Sequence, residues 1–299
     1  MLQKFDERNR DLIVSVNGRL VHRERAAISP FDSAVQGGDA VWEGLRLYQG
    51  KIFLLEEHLA RLRRSAAALA FESVPSDEEI TGQIRAALRA NEMTDSVHIR
   101  LTLTRGVKIT SGMDPRLNQS GPTLIVLAEH KPPVYDQSGI TLVTASVRRP
   151  PPDCLDPKIH HNNLLSSILA KVEANVAGAD DAVMLDPRGF VAETNATHLF
   201  LVTGGRLATP ATVACPEGIT RAAVLELAEG AGIGCYVGDL SLTQFYAADE
   251  VFVTGTMGGL TPVTAIDGRP IGGAVPGPVT LRLTALFADL TARSGTPVV

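Results

Sequence analysis

A lysine attacks aldehydes when burial or neighbouring cations depress its pKa, and Lys158 is placed for such work. It follows the run Pro150-Pro151-Pro152 and precedes an apolar-faced helix in "PPPDCLDPKIHHNNLLSSILAKVEA". The prolines stiffen the loop that carries it. Further on, "VAETNATHLF" holds Glu193 in a β-rich run. A carboxylate there either caps the next turn or, if buried, sits against a cationic ring nitrogen. "EGITRAAVL" opens a helix on Gly218, so the free N–H groups of Ile219 and Thr220 form an anion site. "TGTMGG" is a second Gly/Thr turn, and the N–H or hydroxyl of Thr256 suits the same anion.

Each feature alone has an ordinary structural explanation; their conjunction is more informative. A lysine for an aldehyde, a carboxylate for a ring nitrogen and a cradle for a phosphate are what pyridoxal 5′-phosphate requires. The neighbours of Lys158 have simpler readings. Asn162 or Asn163 is expected to cap the following helix. His160 and His161 line a pocket or a loop. With Asp153 they could make a metal hydrolase, but no separated third ligand stands at an evident spacing, so no metal is expected. Arg148 and Arg149 either add positive potential near the phosphate or end a solvated strand.

These residues need a scaffold, and the chain is long enough for one. It has 299 residues, 44% of them apolar, and a net charge of −5, enough for one large core or two moderate ones. Charges are dispersed and no basic stripe marks a nucleic-acid partner. No apolar run reaches the ~20 residues of a membrane span, and "MLQKFDERNR" lacks the apolar core of a secretory signal. Cys154, Cys215 and Cys235 suggest neither a disulfide framework nor a zinc site. A cytoplasmic α/β protein of the α+β type follows as the expectation.

Asn17-Gly18 and Gln49-Gly50 mark two hairpins. "EEHLARLRRSAAALA" is predicted to be a helix with Leu55, Leu59, Leu62, Ala66 and Leu69 on one face, leaving Arg61 off that face. "SVHIRLTLTRG" and "TLIVLAEH" read as strands. The turn-rich 131–138 is predicted to link a smaller domain, 1–130, to a larger one, 139–299, that carries Lys158. After Lys158, the residues Leu164, Leu165, Ile168, Leu169, Val172 and Val176 share one helix face.

The chain resembles the class IV, or fold type IV, pyridoxal-phosphate aminotransferases, which include branched-chain and D-amino-acid aminotransferases and aminodeoxychorismate lyase. The resemblance runs from about Ile13 to Gly272. It rests on "GGDAVWEGLRLYQGKIFLLEEHLARL", "ETNATHLFLV", "EGITRAAVLELA" and "GTMGGLTPVTAIDGRPIG", in that order. It implies the two-domain fold of that family and a homodimer. It also implies that Lys158 condenses with the cofactor aldehyde, Glu193 meets the pyridine nitrogen, and Arg61, Ile219, Thr220 and Thr256 hold the phosphate. Trp42, Gly37, His98 and Arg100 would line the substrate pocket, Arg100 near the substrate carboxylate.

The chain departs from the family pattern in three places. Lys158 stands at the long end of the family's spacing to Asn163, and His160 sits where shorter-looped members place lysine. Leu164 replaces a cofactor-touching tyrosine, and Gly37 replaces an aromatic residue. The implied reaction moves an amino group from an amino acid, of branched-chain type by preference, to a 2-oxo acid such as 2-oxoglutarate. A D-amino-acid or (R)-amine transaminase is the alternative, gaining if Arg105 rather than Arg100 faces the pocket; the lyase comes third. A non-catalytic binding protein on the same fold lies outside the class.

Overall fold

A computed structural model describes residues 3–299, which divide into two compact units. The N-terminal unit comprises the chain up to Pro132, together with Ile159–Asn163 and Thr291–Val299; the C-terminal unit comprises Pro133–Lys158 and Leu164–Leu290. The chain therefore re-enters the N-terminal unit for five residues directly after Lys158. Thr291–Val299 also returns there, whereas the sequence reading kept it with 139–299.

The N-terminal unit is built on strands β1 (Ile13–Val16), β2 (Arg19–His22), β3 (Ala40–Tyr48), β4 (Lys51–Ile52), β5 (Val97–Thr104) and β6 (Thr123–His130). They form an antiparallel sheet in the order β4-β3-β5-β6-β1-β2, with Thr296–Pro297 added at the β4 edge. Both hairpins form where the Asn-Gly and Gln-Gly pairs predict them. Asn17 and Gly18, and likewise Gln49 and Gly50, have the positive φ of a tight turn. Helices α1 (Ser33–Gly37), α2 (Leu55–Ala68) and α3 (Asp77–Ala90) complete the unit. A capping box between Ser76 and Glu79 starts α3. The core packs Leu55, Leu59, Leu62 and Ala66 of α2 with Ile80, Ile84 and Leu88 of α3 and the inner residues of β3 and β5.

The C-terminal unit contains β7 (Ile140–Thr144), β8 (Asp181–Leu185), β9 (Val191–Thr194), β10 (His198–Thr203), β11 (Arg206–Pro210), β12 (Cys235–Gly238), β13 (Glu250–Gly255), β14 (Gly259–Ile266) and β15 (Arg269–Pro270). Its sheet runs β12-β11-β10-β13-β14-β7-β8-β9, with β15 against β14. Helices α4 (Pro152–Leu155) and α5 (Leu165–Val176) lie on the connection between the parallel strands β7 and β8, as a crossover requires. Helices α6 (Ile219–Gly230), α7 (Leu242–Tyr246) and α8 (Pro278–Arg293) follow.

The expected cap of α5 does not form, and its shared apolar face turns outward. Its N-cap is Leu164, with no side-chain hydrogen bond. Neither asparagine serves as the cap: Asn163 donates to the Gly38 carbonyl and Asn162 accepts from Arg100. The helix also buries its small residues, Ala170 and Ala174, beside Ala145, Ala182 and Met184. The apolar face faces outward, with Leu165 72%, Ile168 54%, Leu169 53%, Val172 50% and Val176 86% exposed. Among the described residues, no helix is long and apolar enough to cross a membrane.

Candidate active site

Lys158 is exposed and ends the C-terminal unit's first segment. Its N–H donates to Asp156 Oδ1 at 2.9 Å, fixing the turn. Glu193 lies on β9, paired in register with Met184, and its side chain is buried. Arg149 answers it: Nη2 stands 2.8 Å from Glu193 Oε1. Arg149 is therefore no solvated strand end. Its Nε donates to the Ala214 carbonyl and its Nη1 to Ser167 Oγ, which orients the guanidinium.

The third part of this cluster is the start of α6. Gly218 is the N-cap and makes no side-chain cap, so the first N–H groups, those of Ile219 and Thr220 included, lack intrahelical acceptors. Thr220 is buried, as is Arg221, whose Nε and Nη2 donate to Thr209 Oγ1 and the Pro210 carbonyl. Thr256 lies in the turn between β13 and β14, just beyond Thr254, whose buried hydroxyl has no partner.

The buried thiol of Cys215 ties these parts together. Burial and the Glu193 carboxylate push it up, while the charges of Arg149, Arg221 and Lys158 act against them. Lys158, Glu193, Arg149 and Arg221 are thus all near enough for their charges to be felt at one sulfur. The donor set fits pyridoxal 5′-phosphate: an amine for the aldehyde, a carboxylate paired with Arg149 for the ring nitrogen, and an open helix end for the phosphate.

Glu193, His198 and Cys215 also place ligand-type atoms within 4.8 Å of one another, the only such gathering of a possible metal set among the described residues. Arg149 already gives the carboxylate its positive partner, and a thiol pushed up by burial resists the deprotonation that metal binding needs. His160, His161 and Asp153 do not form such a set.

The remaining candidates belong to the N-terminal unit. Arg61 is not off the buried face of α2 but inside it. Glu43, fully buried on β3, accepts from Arg61 Nε at 2.8 Å and Nη2 at 2.6 Å, and from His58 Nδ1 at 2.7 Å. Burial alone would raise the Glu43 carboxyl; Arg61, with help from His160, outweighs it and holds the group well below the usual carboxylate range.

Ile159–Asn163 meets the start of β3 at an isolated antiparallel bridge between Val41 and His161. Trp42 N–H donates to the His160 carbonyl, Asn162 N–H to the Ala40 carbonyl, and Trp42 Nε1 to the His161 carbonyl. The two histidines thereby acquire roles. His161 Nδ1 accepts from the Asn163 N–H. His160 stacks on Trp42 with ring centroids 4.2 Å apart, and burial keeps its ring neutral by lowering its pKa. Arg100, on β5, covers Trp42 at 3.5 Å from the centroid and donates to Asn162 Oδ1 at 3.0 Å.

Burial pushes Arg100 down to about 10, and among the described residues no carboxylate pairs with it. Arg105 is differently placed: Asp39 and the Leu69 and Ala70 carbonyls take its donors. His98 is pushed down to about 3 by burial, with Lys131, Arg46 and Arg100 adding to the effect. Gly37 ends α1 and has open space where a Cβ would stand.

The sequence reading missed Glu43, His58, His198 and Cys215. Glu43 had one visible signal, a carboxylate in the middle of the apolar strand "AVWEGLRLY", where burial without a partner is prohibitive.

A family model for class IV amino-transferases matches residues 40–266. The branched-chain-amino-acid aminotransferase-like protein 2 of Arabidopsis thaliana is 56% identical over 97% of this chain and 52% of its own length, so the chain spans about half of that plant relative. A putative branched-chain-amino-acid aminotransferase of Methanocaldococcus jannaschii is 40% identical, covering 95% of this chain and 98% of its own. Among solved structures, a branched-chain amino acid aminotransferase from the organism abbreviated T.th., complexed with N-(5′-phosphopyridoxyl)-L-glutamate, superposes with a TM-score of 0.88. It is 35% identical and covers 95% of this chain and 96% of its own.

Proposed function

Because the chain belongs to the class IV aminotransferases, we propose that it is a pyridoxal-phosphate-dependent transaminase. Its donor is an amino acid of branched-chain type and its acceptor a 2-oxo acid such as 2-oxoglutarate. The observation that carries this reading is the buried Arg149–Glu193 pair, which with Lys158 acts electrostatically on Cys215, together with the open start of α6. The relatives named for branched-chain amino acids support the donor class.

When bound, the cofactor supplies an electron sink for the carbanion formed at the substrate Cα. The chain's own groups do the rest. Lys158 Nζ would hold the cofactor through its aldehyde carbon. The same amine, when neutral, would be the group that takes the proton from the substrate Cα. Glu193, paired with Arg149, would face the ring nitrogen. The N–H groups of Ile219 and Thr220, with Thr256, hold the phosphate. Arg61 is assigned to the phosphate by resemblance alone. Arg100 receives a substrate carboxylate, and the full engagement of Arg105 weighs against the D-amino-acid alternative.

A homodimer belongs to the same proposal. Leu165, Leu169, Val172 and Val176 follow the 4-3-4 spacing that seats one helix against another. The charged residues of α5, Lys171 and Glu173, are engaged within the unit by Asp181 and Ser146, so an identical face meets no like charge.

The deciding experiment uses the full chain loaded with pyridoxal 5′-phosphate. Borohydride should fix the cofactor on Lys158, found by peptide mass, and Lys158→Ala should lose both the adduct and transamination from a donor panel. Undiminished turnover in Lys158→Ala would end this reading.

A further inference from the structure

His198 opens β10, and three parts of the C-terminal unit meet on it. Its ring nitrogen shares the 4.8 Å gathering with the Glu193 carboxylate and the Cys215 sulfur. Its ring also lies against the Gly218 backbone: a Cβ at residue 218 would stand 2.2 Å from His198 Cδ2 and 2.3 Å from Nε2. Through the backbone it pairs with Thr254, at the end of the strand that leads into the Thr256 turn. The residue is buried.

Gly218 adds an independent observation. Its φ of −70° is one that any residue adopts, so the backbone does not require glycine there. The imidazole of His198 does, because it fills the space a side chain would need. At the start of α6, where Ser, Thr, Asp or Asn would ordinarily cap the helix, the chain has given up the cap and admitted the histidine ring.

We propose that His198 is a positioning residue that sets the distance between the Glu193 carboxylate and the N-terminus of α6. The inference rests on the pyridoxal-phosphate reading above: the carboxylate takes the ring nitrogen and the helix start takes the phosphate. A rigid ligand held at two ends binds well only if both holders keep their spacing in its absence, since otherwise binding must pay for their ordering. A planar ring wedged between carboxylate and helix end provides that spacing.

The test measures pyridoxal 5′-phosphate affinity of the full-length apo-protein by equilibrium dialysis, with thermal unfolding of the apo-protein as the control for folding. His198→Ala should weaken binding by about tenfold or more, the usual cost of removing a supporting partner behind a ligand-holding group. His198→Asn or His198→Gln, each restoring one ring-nitrogen equivalent, should recover most of it. Gly218→Ala should weaken binding on its own and cost much less in the His198→Ala background, because the ring it displaces is gone and only Arg221 Cβ, 3.1 Å from the added Cβ, remains close.

Wild-type affinity in a folded His198→Ala, or additive losses in the double variant, would overturn the proposal. If His198→Ala does not fold, Gly218→Ala against wild type carries the test, and unchanged affinity there also overturns it. A wild-type chain that binds no pyridoxal 5′-phosphate would instead remove the cofactor reading itself, and this inference with it.

Discussion

Glu43 takes the Arg61 guanidinium edge-on, with Nε and Nη2 each on a different carboxylate oxygen and both side chains closed off from solvent. The pair joins the middle of β3 to the buried side of α2, and His58 of the same helix adds a further donor to the carboxylate. Removing one member of a buried pair leaves an uncompensated charge, which costs about 3–5 kcal/mol. Glu43→Gln should therefore lower the stability of the chain by that order in urea unfolding. Glu43→Leu combined with Arg61→Met should lose less than the single change, since neither charge is then stranded. Equal stability of Glu43→Gln and wild type would show that Arg61 finds another partner.

His98 should make the chain sensitive to acid. Its neutral form is favoured in the fold, where the pKa falls to about 3 against an ordinary 6.5. Below pH 6.5 the unfolded chain takes up a proton that the folded one refuses, so stability is complete above that pH and drains away as pH falls towards 3. By pH 4 the loss from this residue alone is about 3 kcal/mol. His98→Gln should flatten the slope of stability between pH 6.5 and 4. In NMR, the His98 ring resonances of the folded protein should not titrate above pH 4.

Much of the architecture was legible because local chemistry decides it. Asn17-Gly18 and Gln49-Gly50 turn hairpins whatever surrounds them, and Gly218 announced the start of α6. The partners of the charged groups were not legible, because they arise from residues far apart in sequence. Nothing near Arg61 points to Glu43, and nothing near Glu193 points to Arg149. The outward direction of the α5 apolar face was not legible for a related reason. Helical periodicity reveals that one face is apolar, not which face packs on the sheet; here the alanines pack, because their small size lets the helix approach β8 closely.

That outward face yields a prediction about assembly. Two copies joined through Leu165, Leu169, Val172 and Val176 would bury a continuous apolar seam, each fully covered side chain contributing about 1.5–3 kcal/mol. Leu169→Glu with Val172→Glu would bring four carboxylates into a two-fold contact. Sedimentation should then report a monomer where wild type gives a dimer. The unfolding midpoint of the isolated chain should hardly move, since these side chains are not packed within their own unit. A wild-type monomer at micromolar concentration would remove the proposed seam.

Arg149 behind Glu193 should act on stability before it acts on chemistry. Its guanidinium is buried and anchored by Ala214 and Ser167, so Arg149→Met removes the buried cation paired with the Glu193 carboxylate. The apo-protein should lose about 3–5 kcal/mol, measured by thermal unfolding. Arg149→Lys should restore part of this but not all, because an ammonium cannot make the same set of directed contacts. Arg149→Met with Glu193→Gln should regain part of the loss, since the carboxylate charge is removed. Equal stability in the single and double variants would mean that the carboxylate is not held by this arginine.

Arg100 tests the substrate class. It is a half-buried cation, stacked on Trp42 and steadied by Asn162, without a carboxylate partner among the described residues. At pH 7 to 8 it is fully charged, since burial lowers it only to about 10. A substrate carboxylate would supply the missing anion through a charge-assisted hydrogen bond of about 1.5–3 kcal/mol, which is roughly ten- to a hundredfold in affinity. Arg100→Met, which keeps an unbranched stem beside Trp42, should raise KM for 2-oxoglutarate and glutamate by that factor. A donor with only the carboxylate at Cα should be affected less if that carboxylate is held elsewhere. Equal losses for leucine and glutamate would assign Arg100 to the carboxylate both share, whereas no change for either would place Arg100 outside the substrate contacts.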